Sequence, residues 1–340
     1  MPGFNNILVV RTDRIGDMVL TVPALRALKT AWPRARLSVW ASPVNRELVE
    51  GLPYVDEVIV EEKKGWQGYW KFLLLLRRKR FDLAVILHTK RKTNALCFFA
   101  GIPRRLGYNN DKFGFLLTDK VPDERMLGCK HEVQYSLDLL QRIGVEDRRM
   151  DLELPVSSSC EAWADAFFRD YKLLKSPVVI LHPDASCPTR HWPIESYAAL
   201  AQKLIRSSSV RILVVGAKSA AGMAATIVRL AGDSVVDLTG QLTLLQTAAL
   251  AKRCRVFVST DSGPAHIAAA AGAPVITLFM RSQPGINPER WRPLGRHIIL
   301  LCNKPGEEIL LGNDGKVVSG KFDSITVEEV FRNAASFLEK

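Results

Sequence analysis

Short runs rich in Val, Ile and Leu alternate with amphipathic stretches along nearly the whole of this 340-residue chain, and that alternation is its strongest constraint. A strand-length apolar run followed by a 3.6-period helix, repeated many times, fits parallel sheets whose crossovers are helices. In the first half the pattern predicts strands at residues 6–11, 36–41, 57–61 and 83–88, with shorter ones near 105–108 and 120–122. Helices are predicted at 17–31, 45–52 and 131–143. The segment Pro155-Val156-Ser157-Ser158-Ser159 interrupts the pattern, a helix follows at 160–173, and strands return at 178–182, 210–216, 235–238, 256–259 and 274–279. A last helix is predicted at 326–339, and the sequence leaves open whether it crosses back to the first half.

A chain of this length exceeds one comfortable core, and the breaker-rich interruption is where it divides. The expected organisation is an N-terminal domain 1–155, a passage 156–176, a C-terminal domain 177–323 and a C-terminal helix 324–340. Open parallel sheets bind ligands beyond the carboxyl ends of their strands, so two such α/β domains facing each other are expected to share a central cleft. The loops after the strands then carry the chemistry.

A hydrophobic fraction of 47% with 24% charged residues is that of a folded globular protein and argues against disorder. The formal net charge of +12 calls for an anionic partner, with basic clusters at Arg77-Arg78-Lys79-Arg80, Lys90-Arg91-Lys92 and Arg104-Arg105. The six cysteines form no CxxC or Cys/His ligand pattern and read as isolated reduced thiols. No secretory leader pattern opens the chain, and the longest apolar run, 267–279, is broken by Gly272 and Pro274, so a cytoplasmic location is expected. The stretch 66–76, aromatic and apolar and ending in Arg77 to Arg80, fits either a core helix with a cationic end or an interfacial helix on anionic lipid.

Three loops stand out. The run Ser259-Thr260-Asp261-Ser262-Gly263-Pro264-Ala265-His266 lies between a strand and an Ala-rich helix, where free backbone N–H groups and the helix dipole suit a phosphate or diphosphate. The other reading makes Asp261 or Ser262 a simple helix cap. After strand 178–182, Ser186, Thr189 and Arg190 offer donors for phosphate oxygens ahead of the next helix. The first strand ends in Arg11-Thr12-Asp13-Arg14-Ile15-Gly16-Asp17, which is neither GxGxxG nor a Walker loop; Asp17 is placed either to accept a proton from an attacking hydroxyl or to sit as a first-turn helix acid, with Asp13 in the same position. Gly216 and Gly240 follow later strands and fit either a turn or a close backbone approach to a base or ribose. No His or carboxylate spacing suggests a metal site, and no GxSxG elbow is present.

Taken together, the runs Val10 to Asp17 with Pro23-Ala24-Leu25 downstream, Arg190-His191-Trp192-Pro193, and Thr260 to Ala270 resemble the heptosyltransferases of glycosyltransferase family 9. The resemblance implies a GT-B architecture, two Rossmann-like domains for acceptor and nucleotide sugar, and inverting transfer with no cofactor or required metal. It makes Asp17 the base, Arg190 a phosphate ligand, and Asp261, Ser262, Gly263 and His266 contacts to the diphosphate and sugar of an ADP-heptose donor, with Ser186 a second phosphate donor. Leu242 falls where the family often places an apolar contact to adenine. An anionic, lipid-linked glycan is the implied acceptor, with Lys90, Arg91 and Lys92 as its expected contacts and the inner membrane as a peripheral partner. Two departures are visible: Lys218 follows Gly216-Ala217 where the family often has an acid, and Met280-Arg281-Ser282 replaces Gly-Pro-Thr. Other readings are a different nucleotide sugar, an epimerase or hydrolase on the same fold, and a basic nucleic-acid-binding protein. For the last, no RRM, KH or helix-turn-helix signature is present.

Overall fold

The computed structural model describes residues 3–61, 65–187, 190–303, 310–311, 317–319 and 324–339. By contact density the chain forms two units, Met1–Pro155 and Val156–Lys340.

The first unit is built on six strands, β1 (Asn6–Arg11), β2 (Arg36–Ala41), β3 (Glu57–Val60), β4 (Leu83–Ile86), β5 (Arg104–Asn109) and β6 (Asp119–Pro122). They form one all-parallel sheet in the order β3-β2-β1-β4-β5-β6. Its helices are α1 (Ile15–Val19), α2 (Val22–Ala31), α3 (Trp66–Lys79), α4 (Arg91–Phe99) and α5 (Glu132–Gln141). Leu8, Val10, Ala84 and Ile86 point to the face where Phe72 and Leu76 of α3 and Leu96 and Cys97 of α4 pack. Ile7 and Val9, on the opposite face by the period of two, are equally buried, so both sides of the sheet are covered.

Two local expectations change here. The single helix expected over 17–31 is two helices, because Pro23 lacks an N–H and its ring crowds the carbonyl four residues back; the chain restarts at Val22. Residues 45–52 do not form an α-helix: Pro43–Leu48 is a 3-10 helix.

The second unit repeats the plan. Strands β7 (Val178–His182), β8 (Arg211–Val214), β9 (Val235–Asp237), β10 (Val256–Thr260), β11 (Val275–Phe279) and β12 (Ile298–Cys302) pair in parallel in the order β12-β11-β10-β7-β8-β9. The strand β12 is not among those expected from the sequence, although Pro293 and Gly295 stand ahead of it. Among the described residues its α-helices are α6 (Ser158–Asp170), α7 (Ile194–Ser208), α8 (Ala221–Ala231), α9 (Leu244–Ala251), α10 (Gly263–Ala270), α11 (Pro288–Trp291) and α12 (Val327–Leu338).

Alternation along the strands divides the core in two. Val179, Leu181, Val256 and Val258 meet α7, α8 and α12, whereas Val178, Ile180 and Phe257 meet α6, α9 and α10. The segment 156–176 thus contributes Ala164, Phe167 and Phe168 to the second core. The last helix packs against α7 through Val330 and Ala334. Trp192, buried, donates from Nε1 to the Ile325 carbonyl at 2.9 Å and meets the Tyr197 ring edge-on at 5.0 Å, fixing the entry into α12.

Candidate active site

In each sheet the strand order reverses at its middle, between β1 and β4 in one unit and between β7 and β10 in the other. At such a switch point the two following loops diverge to opposite faces and leave room for a ligand beyond the strand ends. Asp13 and Asp17 lie at the first of these places, and Asp261, Ser262 and Gly263 at the second.

At the first switch point Arg11, the last residue of β1, is fully buried. Its guanidinium pairs with Asp17, lies 3.0 Å from Asp13 Oδ1, and donates to Glu132 Oε1 at 3.1 and 3.2 Å and to the Leu87 carbonyl at 3.4 Å. Three carboxylates thus share one guanidinium away from solvent. One positive charge cannot balance three negative ones in a desolvated site, so a raised carboxyl pKa is the expected response. Burial, opposed by Arg11, lifts Asp17 to about 6 and pushes Asp13 upward as well. The same three carboxylates hold the Arg11 guanidinium protonated against the cost of its burial.

His88, just beyond β4, joins the cluster. Its Nδ1 is 2.9 Å from Thr12 Oγ1, and burial beside Lys90 and Arg11 drives its pKa down to about 3, so the ring is neutral at pH 7. A second guanidinium, Arg125, is held bidentate by Asp123 at 2.7 Å, lies 3.8 Å from the Tyr108 ring centroid and donates to the Leu87 carbonyl at 3.2 Å. Of the basic triplet, Lys90 is exposed and its charge is felt by both Asp13 and His88. Arg91 and Lys92 are engaged elsewhere, Arg91 with the Phe113 ring and Lys92 with Glu61 and the Tyr69 ring.

At the second switch point Thr260 ends β10 and its hydroxyl donates to the Asp184 carbonyl at 3.3 Å. Ser262 is the N-cap residue of α10, yet its hydroxyl does not cap the helix: it turns back to Ser259 Oγ at 2.9 Å and to His182 Nδ1 at 3.2 Å. The Ser262 hydroxyl is therefore not the helix cap. Gly263 and Pro264 begin the helix, and the positive end of its dipole is available to an anion. His182 is buried and its pKa falls to about 4, so it serves as a neutral hydrogen-bonding partner.

Arg190 lies over this helix start. Its Nη1 donates to the Asp261 carbonyl at 3.1 Å and its Nε is 3.8 Å from Asp261 Oδ2. Arg281, from the loop after β11, approaches the same oxygen to 3.6 Å. Two mostly buried guanidiniums thus flank one carboxylate. His266 is buried one turn into α10, and Leu242 packs its side chain partly against the core beside α9. Ser186 is exposed, and Thr189 lies outside the described residues.

Gly216 and Gly240 close the far side. A Cβ at Gly216 would come within 3.0 Å of Ala220 Cβ, and Gly240 has φ +71° with a built Cβ 3.1 Å from Lys218 Cα. An added Cβ is crowded at both positions, and at Gly240 the positive φ disfavours it as well. Among the described residues no group of three His, Cys, Asp or Glu side chains is arranged to hold a metal ion.

Arg11, Glu132, His88, Arg125 and Arg281 were not picked out as site residues from sequence. Glu132 looks like any acid in a first helical turn, and only its burial marks it. Arg281 left one signal, the departure from Gly-Pro-Thr.

Two all-parallel sheets of the same strand order, with polar clusters at both switch points, are the parts of a GT-B glycosyltransferase. The family profile described as glycosyltransferase family 9 (heptosyltransferase) matches residues 69–311, and the chain belongs to that family. It is 28% identical over 300 residues to lipopolysaccharide heptosyltransferase 2 of Salmonella typhimurium, covering 83% of this chain and 84% of that protein. The same enzyme of Escherichia coli K12 is 27% identical over equal shares. Among solved structures, E. coli ADP-heptose lipopolysaccharide heptosyltransferase II superposes with a TM-score of 0.79 at 25% identity, over 98% of each chain. The family 9 glycosyltransferase of Veillonella parvula superposes at 0.85 with 22% identity, over 99% of this chain and 98% of that one.

Proposed function

We propose that this protein moves a heptose, or a closely similar sugar, from an ADP-sugar to an anionic, lipid-linked glycan of the inner-core lipopolysaccharide type, acting in the cytoplasm with inversion and without a metal ion. The observation that carries the reading is the arrangement at Asp261, where Arg190, Arg281 and the start of α10 gather positive charge at one point. Such a site suits a diphosphate. The names of the relatives support the sugar, and an E. coli heptosyltransferase of the same fold has been solved with ADP.

In the transfer step Asp17 takes the proton of an acceptor hydroxyl as that oxygen bonds to the anomeric carbon. The bond from that carbon to the diphosphate oxygen breaks on the opposite face, its electrons leaving with ADP. Arg190, Arg281 and the α10 amides balance the charge that grows on the leaving oxygen. Arg11 holds the Asp17 carboxylate in place, and a pKa near 6 lets it accept a proton at neutral pH. Asp13 and Lys90 border the acceptor's position.

A second reading keeps the transferase and changes the donor. It rests on Lys218, which stands beside Gly240 where family members often carry a ribose-contacting acid. The test is a thermal-shift titration with ADP, UDP and GDP in EDTA, followed by turnover of ADP-heptose with acceptor. At 100 times the dissociation constant a ligand stabilises the folded state by about 2.7 kcal/mol. Selective stabilisation by ADP, and acceptor-dependent release of ADP, are expected. Selectivity for UDP or GDP replaces the donor; acceptor-independent release makes the chain a hydrolase; no stabilisation by any of the three overturns the reading.

A further inference from the structure

Arg11 divides its guanidinium among three carboxylates, and the division is uneven. Its Nε edge faces Asp13 Oδ1 at 3.0 Å. Both Nη atoms donate to Glu132 Oε1, at 3.2 and 3.1 Å, and Nη1 also reaches the Leu87 carbonyl. Asp17 is left with one oxygen, Oδ1, on an Nη2 that Glu132 shares. The nearby pair of Arg125 and Asp123 shows the alternative: there one guanidinium grips both oxygens, Nε on Oδ1 and Nη2 on Oδ2, each at 2.7 Å. Against its burial, Asp123 is thereby held below the ordinary carboxylate range, whereas burial leaves Asp17 above it even beside Arg11. A guanidinium whose Nη edge is already taken cannot close such a fork on Asp17.

Glu132 owes its place to the start of α5. His131 is the N-cap residue: its ring accepts from the Val133 N–H at 3.3 Å, and its own N–H donates to Gln134 Oε1 at 2.9 Å. This reciprocal capping fixes the first turn, and Glu132, the first residue of that turn, is buried against Arg11. The positive end of the helix dipole lies there, where negative charge is favoured.

We propose that Glu132 is a positioning residue for the transfer: by occupying both Nη atoms of Arg11 it keeps the guanidinium from neutralising Asp17, and so leaves Asp17 basic enough to take the acceptor's proton. The inference rests on the reading of Asp17 as the base. The other groups around the pair are committed. Asp13 sits on Arg11 Nε, and His88, neutral at pH 7, has its Nε2 4.0 Å from Asp13 Oδ2. Lys90 acts on Asp13, Arg125 is gripped by Asp123, and burial keeps the Tyr108 phenol protonated. Removing the Glu132 charge alone therefore lets Arg11 close on Asp17 and weakens the base.

Single-turnover rates of ADP-heptose with acceptor, followed across the acid limb, test the proposal on the full chain. Wild type is compared with Glu132→Gln, Glu132→Asp and Asp17→Asn, with melting temperatures as folding controls. Glu132→Gln is expected to move the midpoint of the acid limb down by about one pH unit and to lower the rate at neutral pH about three- to tenfold. Glu132→Asp keeps the charge but draws it back by one methylene from both Nη atoms, so its midpoint moves the same way by less. A residue that merely supports the fold lowers the rate at every pH and leaves the midpoint in place. A midpoint that stays put or rises in Glu132→Gln, or in Glu132→Asp where the glutamine variant does not fold, overturns the proposal. Asp17→Asn separates this failure from that of the base: a slow Asp17→Asn beside an unmoved midpoint discards only the role of Glu132, whereas an Asp17→Asn of wild-type rate discards both.

Discussion

Arg11 and Asp17 close an ion pair across the turn that joins β1 to α1, with both side chains withdrawn from solvent. The pair is more than local charge balance, because the same guanidinium also holds Asp13 and Glu132. A planar fork can serve several carboxylate oxygens at once; a lysine ammonium on a flexible stem cannot reproduce that geometry.

If Asp17 is the base, Asp17→Asn removes the proton acceptor and keeps the shape. Turnover is expected to fall by about 10²–10⁴-fold, with ADP affinity unchanged because the proposed nucleotide contacts lie in the other unit. Arg11→Lys is expected to lower turnover by a smaller factor. Single-turnover rates beside nucleotide titrations separate these outcomes, and an Asp17→Asn enzyme of normal rate would remove Asp17 from the mechanism.

If Arg190 and Arg281 hold the diphosphate, Arg190→Gln and Arg281→Gln each remove a charge-assisted contact of about 1.5–3 kcal/mol, so ADP affinity is expected to fall about 10- to 100-fold. Adenosine, which has no phosphate, should bind wild type and both variants within about twofold. Because both guanidiniums approach the carboxylate of Asp261, the double variant is expected to depart from additivity. Calorimetric titration of ADP and adenosine measures all three.

The fold was legible in the sequence because alternation of apolar runs and helices is a repeated signal. Val178 to His182 or Val256 to Thr260 can hardly be anything but buried parallel strands. Asp17, Arg190 and Asp261 stood out as candidates because each follows a strand and precedes a helix. Long-range partnerships were not. Glu132 is 121 residues from Arg11, and Arg281 reaches Asp261 from a neighbouring strand's loop, so no local pattern links them. The outward Trp66 and Trp70 were ambiguous for a related reason: the apolar stretch is broad enough for either face of α3 to be the buried one.

Gly240 and Gly272 provide a stability test of backbone strain. Both have positive φ, but a Cβ at Gly272 meets nothing within 4 Å, whereas at Gly240 it meets Lys218 backbone at 3.1 Å. Gly272→Ala is expected to cost about 1 kcal/mol from the dihedral alone, and Gly240→Ala about 2–3 kcal/mol because backbone must also shift. Thermal unfolding of the two variants, at about 2–4 °C per kcal/mol, checks the order.

The raised pKa of Asp17 also predicts how stability depends on pH. A carboxyl whose folded value is near 6, against an ordinary value of 3.8, binds its proton more strongly in the folded state. Its stabilising contribution is therefore complete below the ordinary value and is lost as pH rises through about 6, by on the order of 1–3 kcal/mol. Asp17→Asn cannot titrate, so the variant gains on wild type between pH 4 and pH 7. Melting temperatures of both proteins across that window give the test: a difference that moves toward the variant as pH rises supports a protonated Asp17 in the acid form. A difference that is flat, or moves toward wild type, means that Arg11 holds Asp17 ionised throughout.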